Sequence, residues 1–219
     1  MRASRSTTRW GSFLPLLAAM LGELILAPVF GALPGGLPIG RGLSALVVLA
    51  ALLVTGFGPI AIALLAATFL AQAMEVLVGG AAFGMLAALF RLLFLARVIV
   101  LVVRHVLTQR DVTSDTVAGA ACAYLLIGVL WGDLYFLIEL LGPGSFAVQE
   151  SWRIGPARDL RAALTVFSML NLATLGTDAI EPTTPAMGAL CAAEALMGQL
   201  FMAVLIGRLV GLRASRQSG

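Results

Sequence analysis

Residues 165–212 read TVFSMLNLATLGTDAIEPTTPAMGALCAAEALMGQLFMAVLIGRLVGL, and the order of three parts within them decides the fold. Residues 164–173 form a short apolar helix. Thr174-Leu175-Gly176-Thr177-Asp178-Ala179 then break the apolar pattern with small and acidic residues, Pro182 and Pro185 follow, and a long apolar run begins. A helix of about ten residues rises roughly 15 Å, half the ~30 Å hydrocarbon core of a bilayer. A half-helix followed by irregular backbone at membrane depth is tolerated only where that backbone lines a water-filled path. Rings of carbonyls or acidic side chains are how such paths replace an ion's hydration shell. One copy of the segment cannot enclose a path, so the pattern implies a symmetric oligomer around an axis.

The rest of the chain sets this segment in a membrane context. Of its 219 residues 60% are hydrophobic and 11% charged, against about 25% charged in soluble domains. The apolar residues come in long runs separated by Gly/Pro breaks, which excludes a soluble fold of ordinary composition. The runs fall at about 13–30, 42–57, 59–77, 81–107, 116–141 and 185–212. The expected fold is an all-α membrane protein of six transmembrane helices, with a re-entrant pore helix and filter loop between the fifth and sixth. The division is an N-terminal four-helix membrane domain over 1–110, a pore domain over 111–212 and a short basic tail over 213–219. Gly56-Phe57-Gly58-Pro59 breaks the second run, and Pro59 suits the first turn of the third. Leu33 to Gly40 reads as a Gly/Pro-rich turn.

All the basic residues are arginines. With both termini on the cytoplasmic side of a plasma (inner) membrane, Arg2, Arg5, Arg9, Arg104, Arg110, Arg208, Arg213 and Arg216 lie inside. Arg41, Arg153, Arg158 and Arg161 lie outside, an asymmetry that follows the positive-inside tendency. The basic start and first apolar run also have the layout of a cleavable signal. The run is long enough to span, and it contains Glu23, so retention and cleavage are both open. Arg91, Arg97, Arg104 and Arg110 are spaced by six, seven and six. That scatters them around a helix, unlike a voltage-sensing stripe, and reads as interface snorkelling and ion pairing with Glu75 or Glu23 as partners. Asp133 in the fifth run reads as a packing or pore-domain partner, not a catalytic group. Glu194 faces either the short helix, a neighbouring copy or the path itself. Gly198 is either a hinge for a gate or a site of close helix packing.

Other function classes find little here. His105 is the only histidine, Cys122 and Cys191 sit within apolar runs, and no metal-ligand spacing or phosphate loop occurs, so an enzyme is not expected. No basic stripe with interleaved aromatics suggests nucleic acid. A carrier would show internal repeats, and none is seen between the halves.

The frame of residues 167–182 resembles the pore segment of bacterial potassium channels of the two-helix pore type, whose pattern is F-S-x-x-T-L-T-T-L-G-Y-G-D-I-x-P. Phe167, Ser168, Leu172, Thr174, Leu175, Gly176, Ile180 and Pro182 match it without a gap. Residues 194–212 resemble the pore-lining helix of that family, and 112–146 the outer helix, so the likeness covers about half the chain. It implies a homotetramer passing potassium or another monovalent cation, with no other cofactor and with the bilayer as its surroundings. Thr174, Leu175, Gly176, Thr177 and Asp178 become the selectivity filter and Glu181 the outer mouth. The departures fall on the filter: Gly-Tyr-Gly-Asp is replaced by Gly176-Thr177-Asp178-Ala179. Asp178 takes the place of a glycine whose backbone L-residues avoid. A ring of Asp178 carboxylates would favour cations with altered selectivity. The alternative implied by the same departures is a pore-like regulatory or structural subunit that does not conduct.

Overall fold

The computed structural model describes residues 12–31, 37–56, 58–78, 81–109, 113–152 and 160–217. Helices α1 (Leu14–Gly31), α2 (Leu37–Thr55), α3 (Pro59–Val78), α4 (Ala81–Thr108) and α5 (Ser114–Leu141) follow in order. Then come strand β1 (Phe146–Val148), a 3-10 turn (Glu150–Trp152), α6 (Leu160–Leu172), strand β2 (Ile180–Pro182) and α7 (Pro185–Gln217). The chain is mostly helical. Among the described residues three helical stretches are long and apolar enough to cross a membrane: Ala82–Thr108, Ser114–Leu141 and Pro185–Arg208. Helices α1 to α3 contain shorter apolar stretches, Leu14–Leu26, Leu46–Thr55 and Pro59–Met74.

The breaks fall where backbone chemistry demands them. Gly56 adopts φ 85° and ends α2, its N–H bonding to the carbonyl of Leu52 at 2.8 Å. Pro59 then opens α3. Of the turn expected over 33–40, Leu37 to Gly40 are instead helical, at the start of α2; residues 32–36 lie outside the described residues. The basic tail continues α7 as helix to Gln217. Arg2, Arg5, Arg9, Arg110, Arg153 and Arg158 also lie outside the described residues.

Helix α5 is the centre of the packing and touches α1, α4, α6 and α7. Its N-terminus carries a Thr113–Thr116 capping box, in which the Thr113 hydroxyl accepts from the Thr116 N–H at 3.1 Å. Asp115 in the same turn accepts from the N–H of Phe13 at 2.8 Å and from the hydroxyl of Ser12 at 3.0 Å. One carboxylate thus supplies acceptors to the start of α1 and sits at the favourable end of α5. At the other end, Glu139 accepts from the N–H groups of Gly144 (2.6 Å) and Phe146 (3.2 Å) and closes the turn into β1. Strands β1 and β2 pair antiparallel, with Ala147 opposite Glu181. This small ribbon was not foreseen from the mixed polar sequence around it.

Helices α5 and α6 approach closely. A Cβ added at Gly132 would lie 2.6 Å from Thr165 Cα, and one at Gly128 would lie 2.5 Å from Met169 Sδ. Two glycines four residues apart give α5 a flat ledge on which α6 rests. Tyr135, Phe146 and Phe167 stack edge-on beside it, with centroids 5.1 to 5.8 Å apart. Cys122 and Cys191 are free and buried. Replacing Gly132 by valine should cost about 1–3 kcal/mol by forcing α6 off the ledge. Thermal unfolding in detergent checks this, and an unchanged midpoint would mean the ledge is not needed.

Candidate functional site

Helix α6 is 13 residues long and is held at both ends. At its start, Arg161 Nε donates to Asp133 Oδ1 at 2.7 Å, while Arg91 Nε of α4 donates to Oδ2 at 2.8 Å. The Asp133 side chain is fully buried and serves both guanidiniums. Asp133 is therefore a packing partner, as its position in an apolar run implied. Arg91 bonds to Asp133, which sequence distance had hidden, and Glu23, a partner the sequence did offer, also attracts it. Arg161 also lies 5.8 Å from the centre of the Phe136 ring. Breaking such a buried group by removing one member costs more than a surface pair contributes.

Toward its end, α6 is bonded to α5 and α7. The Ser168 hydroxyl lies 2.7 Å from the Gly128 carbonyl and in very short contact with Glu194 Oε1. Asn171 Nδ2 donates to Glu194 Oε2 at 2.6 Å and to the Cys191 carbonyl at 2.8 Å. Tyr135 donates to the same Oε2 at 2.6 Å. Glu194 thus faces α6 from the last helix, and Cys191 one turn before it shares the cluster. Gly198, one turn further, lies against the last carbonyl of α6: an added Cβ would sit 2.2 Å from the Leu172 oxygen. That oxygen also accepts from the Tyr124 hydroxyl at 3.1 Å. The structure thus gives Gly198 a packing role, with α7 running unbroken through it.

The exit from α6 is a Schellman turn. The Leu175 N–H reaches back to the Leu170 carbonyl at 2.8 Å, and the Thr174 N–H to Asn171 at 2.8 Å. The turn demands a left-handed residue, and Thr174 supplies it at φ 60°. Glycine usually fills that place, and a β-branched residue there is strained. Gly176 follows at φ 67°. Among the described residues Thr174 is the one non-glycine with positive φ, so Asp178 does not adopt the backbone of the glycine whose place it takes in the resemblance. The left-handed residue sits four residues earlier, at the helix exit.

The structure brings Thr174 to Asp178 together in one non-helical segment between α6 and β2. Leu175 is 74% exposed, and Thr174, Gly176 and Asp178 are also exposed. The Thr177 hydroxyl accepts from the Ala179 N–H at 3.2 Å. Gln149, which the sequence did not single out, holds the far end: its Nε2 donates to the Asp178 carbonyl at 2.8 Å and its N–H to the Ala179 carbonyl at 2.9 Å. Gln199 of α7 donates to the Thr174 hydroxyl at 3.2 Å. Glu181 is exposed on the ribbon. Among the described residues, the carbonyls of Thr174, Leu175, Gly176 and Thr177 accept no hydrogen bond. Their exposure leaves these four successive carbonyls open to water or another ligand.

Comparison with protein-family models, curated proteins and solved structures finds no match to this chain. The site defines a class by geometry alone: a helical chain, with three helices able to cross a membrane, that presents a short helix and a strip of free carbonyls. The strain at Thr174 gives a direct check. Thr174→Gly should raise stability by roughly 1 kcal/mol, while Thr174→Val, which keeps the strain and loses the hydroxyl, should lower it. Thermal unfolding midpoints of the two variants that fall equally would show that no strain is stored there.

Proposed function

We propose that the chain forms a homotetrameric cation channel in a plasma membrane, with six spans, both termini cytoplasmic and α6 entering the bilayer as a pore helix. The observation that carries this reading is the strip of unpaired carbonyls from Thr174 to Thr177. Oxygens without hydrogen-bond partners at membrane depth are costly unless water or an ion meets them. Four copies around an axis would turn the strip into stacked rings that replace a cation's water. The frame matched at Phe167, Ser168, Leu172, Thr174, Leu175, Gly176, Ile180 and Pro182 supports the same reading.

The roles follow from the chemistry. Exposed Asp178 and Glu181 concentrate cations at the outer mouth. The carbonyls of 174–177 take over from water, and the Thr174 hydroxyl with Gln199 meets the ion at the inner end. The apolar exposed side of α7, including Leu196, Leu200 and Val204, faces lipid or neighbouring copies. A bend of α7 at Gly198 would move the Leu172 carbonyl, so a gate there would act on the pore helix directly. Thr177 lacks the aromatic ring that braces a potassium filter, so discrimination of potassium from sodium is weak. The second reading is a pore-like subunit that does not conduct. What favours it is the loss of the second filter glycine at Asp178.

Flux into liposomes carrying the purified protein separates the two. The channel reading expects uptake of both potassium and sodium, reduced several-fold by Asp178→Asn at equal protein incorporation. No flux from wild type, with a tetramer of 22.8 kDa subunits present, would favour the second reading. Strong selection of potassium over sodium would contradict the altered filter.

A further inference from the structure

Glu194 is the one carboxyl in the apolar run of α7, and it is fully buried. Its surroundings can be read hydrogen by hydrogen. Tyr135 has one hydroxyl hydrogen and gives it to Oε2. Asn171 has two amide hydrogens, one for Oε2 and one for the Cys191 carbonyl. Ser168 has one hydroxyl hydrogen and two oxygens in reach, the Gly128 carbonyl and Glu194 Oε1. A hydroxyl donates once and accepts through its lone pairs. If Ser168 donates to Gly128, the contact with Oε1 needs a hydrogen from the carboxyl itself. Among the described residues no arginine or histidine pairs with Glu194. An ionised carboxylate buried without a cation is strongly disfavoured.

We propose that Glu194 is held as the un-ionised acid and donates to Ser168, which donates in turn to Gly128, so that one chain of hydrogens ties α7, α6 and α5 together. Glu194 is then a positioning residue: it sets where α6 ends and hence where the carbonyls of 174–177 lie. This consequence for conduction rests on reading α6 and α7 as a pore; the protonation state does not. The titratable groups that face Glu194 are Tyr124 and Tyr135 from α5 and Cys191 from α7. Helix α6 contributes Ser168 and Asn171, which do not titrate. Loss of the Glu194 hydrogen as pH rises removes the link to Ser168, and none of these neighbours carries a positive charge to compensate.

The test uses the full-length protein in detergent and in liposomes. Infrared difference spectra between wild type and Glu194→Gln should show the carbonyl stretch of a protonated carboxyl at neutral pH, lost on alkaline titration. Glu194→Gln supplies the same acceptor and a donor for Ser168, so its unfolding midpoint should stay near that of wild type, while Glu194→Leu falls clearly. Where flux is measured, wild type should lose it several-fold at alkaline pH and Glu194→Gln should not. The absence of a protonated-carboxyl band at neutral pH overturns the proposal, as does a Glu194→Gln variant as unstable as Glu194→Leu. The infrared and stability results stand even for a chain that passes no ions, so failure of the pore reading is told apart from failure of this one.

Discussion

The close seating of α6 on the Gly128–Gly132 ledge of α5 is the constraint on which the rest depends. With any side chain at Gly132, the Thr165 backbone would be pushed away. The seat brings Ser168 within reach of the Gly128 carbonyl and Glu194. It also brings Leu172 against Gly198, so α7 is registered by the same contact. Small residues let helix backbones approach closely enough for side-chain hydrogen bonds to span three helices at once.

The two buried acids divide the remaining work. Asp133 fixes the start of α6 through Arg161 and ties it to α4 through Arg91. Glu194 fixes its end through Ser168 and Asn171. Between them, the short helix has little freedom to shift, and the segment after it starts from a defined point. Gln149 then pins the far side of that segment to the loop after β1. Thr174 to Thr177 thus run between two anchors, with their carbonyls free of partners among the described residues.

Much of this was legible in the sequence, and what was missed has identifiable causes. Helix breaks at Gly56 and Pro59 follow from local backbone chemistry, so they were readable, as were the short helix and the irregular run after it. The bond from Arg91 to Asp133 was not readable, because the two lie 42 residues apart and periodicity says nothing about which helices adjoin. The cap that Glu139 forms on the turn after α5 depends on backbone N–H groups five and seven residues on, which composition does not reveal. The left-handed residue at Thr174 was not foreseen, because it is set by the exit from α6 and not by the residue type. Gln149 carried no signal beyond being polar. The cluster around Glu194 had one: Ser168 and Asn171 share a face of α6 by their three-residue spacing, opposite a lone acid in an apolar run.

The central claim is that cations pass between copies of Thr174 to Thr177. It is tested most directly by an anomalous difference map from crystals of the membrane-extracted protein soaked in thallium ions. The account expects thallium peaks on a fourfold axis, within coordination distance of the carbonyl oxygens of residues 174–177. An assembly without that axis, or with those carbonyls turned away from it and no peak between them, would contradict it.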